Sequence, residues 1–174
     1  VMPVRVATVE DADDIAALAA RTFALACPDH TPAEAIEKHI RTELNADRFR
    51  DHMHTAQFLV VDAPGGGVRG YVMLLAHPAP IETDWRNPME LRRIYVDESE
   101  LGTGLARELM QESLQVANRD GHDWIWLGTN EENLRAIRFY EKAGFRVVGN
   151  RTFRVADSVE CDYVLARRVG LDHG

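Results

Sequence analysis

An α+β fold, with a mixed, mostly antiparallel central sheet of about seven strands and about four flanking helices, is predicted from three features of the chain. Short β-prone runs with alternating or continuous apolar character recur along its length, as in VRVATV, QFLVV and WIWLG. Between some of them lie longer stretches whose apolar residues repeat at helical spacing. Glycine and proline punctuate the joints, as in APGGG and the single prolines at 28 and 32. The resulting order is β-α-α-β-β-β-α-β-α-β-β, in one domain spanning residues 1–174.

Val4 to Val9 alternates and reads as the first strand, with Thr8 or Asp11 available to cap the first helix. Ile15, Leu18, Ala19, Thr22 and Phe23 form a helical stripe that reaches about Ala26, where Pro28 stops it. A second helix starts at Pro32, placed at the first helical position, and runs to near Ala46 with Ile36, Ile40 and Leu44 on one side. Asp47 to Thr55 is polar and fits either a continued helix or a flap. Gln57–Val61 and Val68–Ala76 read as a hairpin around Ala63–Gly67. His77 to Pro88 carries three prolines and a tryptophan and reads as a surface loop long enough to line a cleft.

Leu91, Ile94, Tyr95 and Val96 form a buried strand, followed by a short acidic turn and by Gly102 and Gly104, after which helical spacing runs from Leu105 to near Gly121. Asp123–Gly128 is a strand. Asn133 caps a helix that Gly144 closes at Ala143. Phe145–Phe153 and Ser158–Ala166 are the last two strands, joined by a polar turn at Ala156 and Asp157.

Composition limits the function classes. The chain is 45% hydrophobic and 28% charged, with a net charge of −8, which argues against a nucleic-acid binder or a polybasic membrane anchor. An acidic surface favours a cationic substrate. No apolar run reaches membrane-spanning length and no signal-peptide core is visible, so a cytoplasmic protein is expected. Cys27 and Cys161 stand far apart, outside any zinc spacing, and read as two thiols.

Few residues offer chemistry. His52 and His54 lack a carboxylate or cysteine at metal-site spacing, and no metal is expected. No Gly-Lys-Ser/Thr follows Gly104, and the glycines do not form the dinucleotide fingerprint of a first βαβ unit. Two glycines between a strand and a helix suit either an ordinary turn or an anion held on first-turn amides. On the later helix Ile137 and Tyr140 lie three apart, so Tyr140 is either a packing aromatic or a hydroxyl presented toward the sheet.

LRRIYVDESELGTGLARELM followed by NLRAIRFYEKAGF resembles the paired signature of the GNAT superfamily of acetyl-CoA-dependent N-acetyltransferases. RIYV, WIWLG and the C-terminal GFRVVGNRTFRVADSVECDYVLAR are similar to its spermidine/spermine branch. The resemblance spans nearly the whole chain and implies a three-layer α/β arrangement with acetyl-CoA as cosubstrate. It implies that the backbone of Ile94, Tyr95 and Val96 pairs with the pantetheine arm. The amides of Gly102, Thr103, Gly104, Leu105 and Ala106 would cradle the pyrophosphate, a role the anion-site reading also allows. Asn133 would contact the cofactor, and Tyr140 would protonate the departing thiolate. Leu101 departs from the pattern, which has Gln or Arg before the first glycine, and so removes a side-chain donor but no amide.

The implied chemistry is direct attack by a neutral amine, with the oxyanion met by a backbone N–H. An aliphatic ammonium has a pKa of about 10, so a base is required. Glu90 is the candidate, ahead of Glu82 and Asp84. The expected acceptor is a small primary amine, a polyamine among the options. A peptide or protein N-acetyltransferase and a non-catalytic acyl-CoA-binding domain are the alternatives. A homodimer is compatible with the C-terminal strands.

Overall fold

The computed structural model describes residues 3–155 and 158–170. Its strands form one sheet in the order β1-β2-β3-β4-β5-β7-β6, with β1 at Arg5–Val6, β2 at Gln57–Asp62, β3 at Val68–Ala76, β4 at Pro88–Val96, β5 at Trp124–Asn130, β6 at Arg146–Val155 and β7 at Ser158–Arg168. β4 and β5 pair in parallel, whereas β1–β2, β5–β7 and β6–β7 are antiparallel. Five α-helices accompany them: α1 Ala12–Ala26, α2 Ala33–Glu43, α3 Ala46–His52, α4 Leu105–Arg119 and α5 Leu134–Lys142. The turn expected at Ala156 and Asp157 lies outside the described residues.

Three boundaries differ from those expected of the sequence. The first strand is only two residues long, because the chain enters a 3-10 turn at Val9–Asp11. The second helix ends at Glu43, with Pro32 as its cap rather than its first residue. Asn45 then separates α2 from α3: its amide donates to Arg41 O at 2.8 Å and its carbonyl accepts from Arg48 N at 2.9 Å. One side chain closes one helix and opens the next, so the polar stretch after Ala46 begins as a capped helix.

The chain divides into two compact units. One comprises the chain up to Met73 with Arg93–Leu109, the other Leu74–Arg92 with the chain from Met110 onward. In the first, α1 buries Ile15, Leu18, Ala19 and Thr22 of the expected stripe, together with Ala12, whereas Phe23 is only half-buried and stacks on His39. Phe49, Phe58 and Tyr71 are almost wholly buried with ring centroids 5.8–6.4 Å apart, Phe49 edge-on to the other two and Phe58 stacked on Tyr71. At Gly70 an added Cβ would come within 2.9 Å of a Leu109 methyl, so a larger residue there would push the Leu109 side chain aside.

In the second unit Trp126, Val164 and Ala166 form a buried cluster with Ala79, Ile81, Trp85 and Trp124 around it. Trp85 stacks on Trp124 at 4.7 Å, and Trp126 Nε1 donates to His77 O at 2.9 Å, so the proline-containing loop is held at both ends of its aromatic contacts. Burial pushes the Asp123 carboxyl up, but amide hydrogen bonds, led by those from Arg86 and Asn87, outweigh this and hold it below its ordinary value.

Candidate active site

The candidate residues fall into two groups, one in each unit. In the first unit β4 ends in Ile94, Tyr95 and Val96, all half-buried. Asp97 comes next, its N–H on Arg69 O at 2.8 Å and its carboxylate on Arg21 at 3.0 Å. A 3-10 turn at Glu98–Glu100 leads to Gly102 and Gly104, with φ of 83° and 89°. These left-handed values favour glycine. No atom lies within 4 Å of where a Cβ would stand at either position, so the loop presents bare backbone to open space.

Hydrogen bonds fix the loop's shape. Thr103 N–H donates to Glu100 O at 3.2 Å, its hydroxyl donates to the same oxygen at 2.7 Å, and Leu105 N–H reaches the Thr103 hydroxyl at 3.4 Å. Glu108 N–H closes the first helical bond of α4 on Gly104 O at 3.1 Å. The amides of Ala106 and Arg107 lie in the first turn, where no intrahelical acceptor exists. Glu100, the nearest carboxylate in this turn, is paired with Arg69 at 3.3 Å, which offsets its repulsion of an incoming anion. Leu101 is 50% exposed. The open glycines and first-turn amides fit the pyrophosphate of acetyl-CoA.

In the second unit Glu90 is only 6% exposed, on the central strand. Arg92 grips it, with Nη2 at 2.7 Å and Nε at 2.9 Å from Oε2, an arrangement that fixes the carboxylate's orientation. Glu90 lines a cavity of about 450 Å³ together with His77–Pro80, Arg92, Trp126, Gly128 and Arg151. The loop after β3 thus borders a cleft, as its composition suggested, whereas Glu82 and Asp84 are absent from the lining. Arg151 contacts Asp162 at 3.4 Å. Burial raises the Asp162 carboxyl against the pull of that arginine. A Cβ at Gly128 would stand 2.7 Å from the Arg151 guanidinium, so the glycine makes room for it.

On α5, Asn133 is the cap: its side-chain oxygen accepts from Ala136 N at 3.2 Å. The other end of the helix positions Tyr140. Phe145 N–H reaches back to Tyr140 O at 3.1 Å and Gly144 N–H to Glu141 O at 3.0 Å, with Gly144 at φ 92°. This nested pair of bonds is a helix terminator that requires the left-handed residue between them. The Phe145 ring packs edge-on to Tyr140 at 6.1 Å, and Phe139 flanks it at 5.5 Å. Arg167 donates to Ala143 O at 2.7 Å and satisfies one of the last carbonyls.

Arg92, Arg93, Arg151 and Asp162 did not stand out in the sequence as site residues. The available signal was Arg92-Arg93 inside an otherwise apolar strand, because charges there need a partner or a ligand. Among the described residues no group of three or more His, Cys, Asp or Glu gathers at metal-binding distance, and no helix is long and apolar enough to cross a membrane.

The Acetyltransferase (GNAT) family model matches residues 19–145. An uncharacterised N-acetyltransferase of Mycobacterium tuberculosis is 39% identical over 160 residues, which cover 91% of this chain and 98% of that protein. The PaiA N-acetyltransferase of Thermoplasma acidophilum, solved with coenzyme A, has a TM-score of 0.74 at 17% identity, covering 97% of this chain and 99% of its own. The ribosomal-protein-S18-alanine N-acetyltransferase of Escherichia coli reaches 0.70 at 16% identity, covering 97% and 94%. A family model spanning most of the chain, with a relative 39% identical over nearly its whole length, places the chain in the GNAT family as an acetyl-CoA-dependent N-acetyltransferase.

Proposed function

We propose that the chain acetylates the primary amine of a small molecule, with Tyr140 as the acid and Glu90 as the base. The observation that carries this reading is the termination of α5. Two backbone bonds and a left-handed glycine fix the main chain at Tyr140, and the Phe145 and Phe139 rings pack against its side chain. Acetyl-CoA supplies a thioester carbonyl that the amine attacks. The backbone of Ile94, Tyr95 and Val96 holds the pantetheine arm in strand-like fashion. The amides of Gly102, Gly104 and Ala106 hold the pyrophosphate, joined by those of Thr103 and Leu105 once they exchange Glu100 O and the Thr103 hydroxyl for it. Asn133, which caps α5, lies at the cofactor's edge. Glu90, oriented by Arg92 in the wall of the cavity, takes the ammonium proton directly or through water.

The polyamine reading rests on sequence resemblance, whereas the absence of a nucleic-acid partner rests on the net charge of −8, a cytoplasmic location on the lack of a membrane-length apolar run, and a homodimer on the C-terminal strands. The E. coli structural relative is named for a protein alanine as its acceptor, which supports protein N-termini as a second reading. A thiol-release assay over a panel of amines, amino acids, spermidine, spermine and N-terminal peptides separates the two. Turnover of small amines and not of peptides is expected; the reverse would move the assignment to protein acetylation. In the same assay Tyr140→Phe should lower kcat by about 10²–10⁴ while calorimetric acetyl-CoA binding stays within twofold. Unchanged kcat at saturating substrates would remove Tyr140 from the chemistry.

A further inference from the structure

Arg93 directly precedes Ile94 on β4 and belongs wholly to the first unit. Its guanidinium lies over the Phe49 ring, 5.4 Å from the centroid. Nη1 is buried and has no hydrogen-bond acceptor among the described residues. The two arginines nearest in role differ: Arg92 has Glu90, and Arg69 has Glu100. Among the described residues no carboxylate forms an ion pair with Arg93. Glu43 is the acidic group that acts on this neighbourhood, and it is engaged by Arg48 at 2.9 Å. The guanidinium also donates to the Tyr71 side chain, so the unmet donor is Nη1 alone, and a buried donor is costly until an acceptor completes it.

The surroundings describe the missing group. Phe49 and the buried Tyr71 form an aromatic floor, with Tyr95 at 5.8 Å from Tyr71. Phe23 stacks on His39 at 4.4 Å beside it. Helix α2, which carries His39, has no fully buried residue, and Arg93, Tyr95, Phe23 and His39 each keep part of their surface exposed, so the cluster is reachable from outside. One planar guanidinium in an aromatic setting matches a single carboxylate; a phosphate ordinarily calls for several cations or a helix terminus. Burial, followed by the Arg93 charge, lowers the His39 pKa, as an uncompensated cation nearby would. The chain's charge of −8 does not oppose this, because solvent-exposed charges beyond about 8 Å are screened at physiological salt.

Resting on the acetyl-transfer reading above, we infer that Arg93 anchors a carboxylate of the acceptor, so that the acetylated amine belongs to a small amino acid. Arg93 lies one residue, about 3.3 Å of strand rise, from the Ile94 backbone assigned to the pantetheine arm. An acceptor whose carboxylate pairs with the Arg93 guanidinium would bind alongside that arm, with its amine one or two carbons from the carboxylate. Unsubstituted polyamines lack the group that Arg93 requires.

The experiment pairs each free acid with its amide: glycine with glycinamide, β-alanine with β-alaninamide, and aspartate and glutamate with their α-amides, with spermidine and spermine alongside. The acid should exceed its amide at least tenfold in kcat/KM. Arg93→Gln should erase that ratio through KM for the acid, and Arg93→Lys should restore part of it. If amines are acetylated with acid and amide equal, or if Arg93→Gln lowers both alike, the carboxylate anchor is overturned while acetyl transfer stands. If no small amine turns over, the acetyl-transfer reading fails, and binding decides the anchor. N-acetylglycine should then raise the NMR titration midpoint of His39 in the wild type and not in Arg93→Gln, and no movement in the wild type overturns it.

Discussion

In the proposed mechanism Glu90 and Tyr140 would meet two demands of amine acetylation, removal of a proton from the nucleophile and delivery of one to the leaving group. Their supports differ in kind. Glu90 is fixed by a charged partner two residues along its own strand, whereas Tyr140 is fixed by backbone bonds and an aromatic contact. Replacing Glu90 by Gln keeps the shape but removes the proton acceptor and leaves Arg92 without its counter-charge. We expect kcat/KM to fall by about 10²–10⁴, with acetyl-CoA affinity little changed by calorimetry. A fall below threefold would return the base to solvent water. Both stood out in the sequence as candidates because each is marked locally, one as a carboxylate on a strand that proves buried and the other as a tyrosine at helical spacing on α5. Arg93 did not, because its significance lies in having no carboxylate partner among the described residues, and the groups around it come from distant segments such as α3.

At the level of elements, helix ends carry most of the information. The Gly144 cap of α5 was legible because a glycine directly after a helical stripe supplies the left-handed residue that ends a helix. The break at Asn45 was not, because an asparagine that bonds both the preceding and the following helix looks like any polar residue in a polar stretch. The α5 cap gives a test that separates stability from positioning. Gly144→Ala forces a Cβ at φ 92° to within 3.3 Å of Arg167, at a strain of about 1–2 kcal/mol, and loosens the bonds that hold Tyr140. Gly121→Ala meets the same strain at φ 79° with nothing near its Cβ. Both should lower Tm similarly, but only Gly144→Ala should lower kcat. Equal kcat in the two variants would show that the terminator serves folding alone.

For the molecule as a whole, the strand count and the order of elements come from local pattern, but the insertion of β7 between β5 and β6 does not. That placement is set by long-range pairing, Trp124 with Arg168 through Asn130 with Asp162, which no periodicity encodes. The N-terminal segment is tied in by charge instead. Arg5 bridges Asp11 and Asp62, each at 2.8 Å, and its hydrogen bonds lower the pKa of both carboxyls below 3.8. A depressed carboxyl stabilises the fold above its unfolded value and loses that contribution as pH falls through the folded one. Arg5→Ala should therefore lower Tm near neutrality by about 2–4 °C, for roughly 1 kcal/mol of partly screened pairing. The gap from wild type should close as pH drops below 3.8; a gap that persists there would assign the effect to packing.

The two margins of the sheet bear on how copies of the protein can meet. β1 offers two residues of open ladder, and β6 carries an irregularity between Val147 and Gly149 along with Arg146, Arg151 and Arg154. Short, kinked and cationic margins resist templating by another chain. Self-association that adds strand to strand is disfavoured at both ends, so a dimer has to join through side-chain surfaces, and the exposed Val147, Val148 and Val159 of the last hairpin supply apolar area for it.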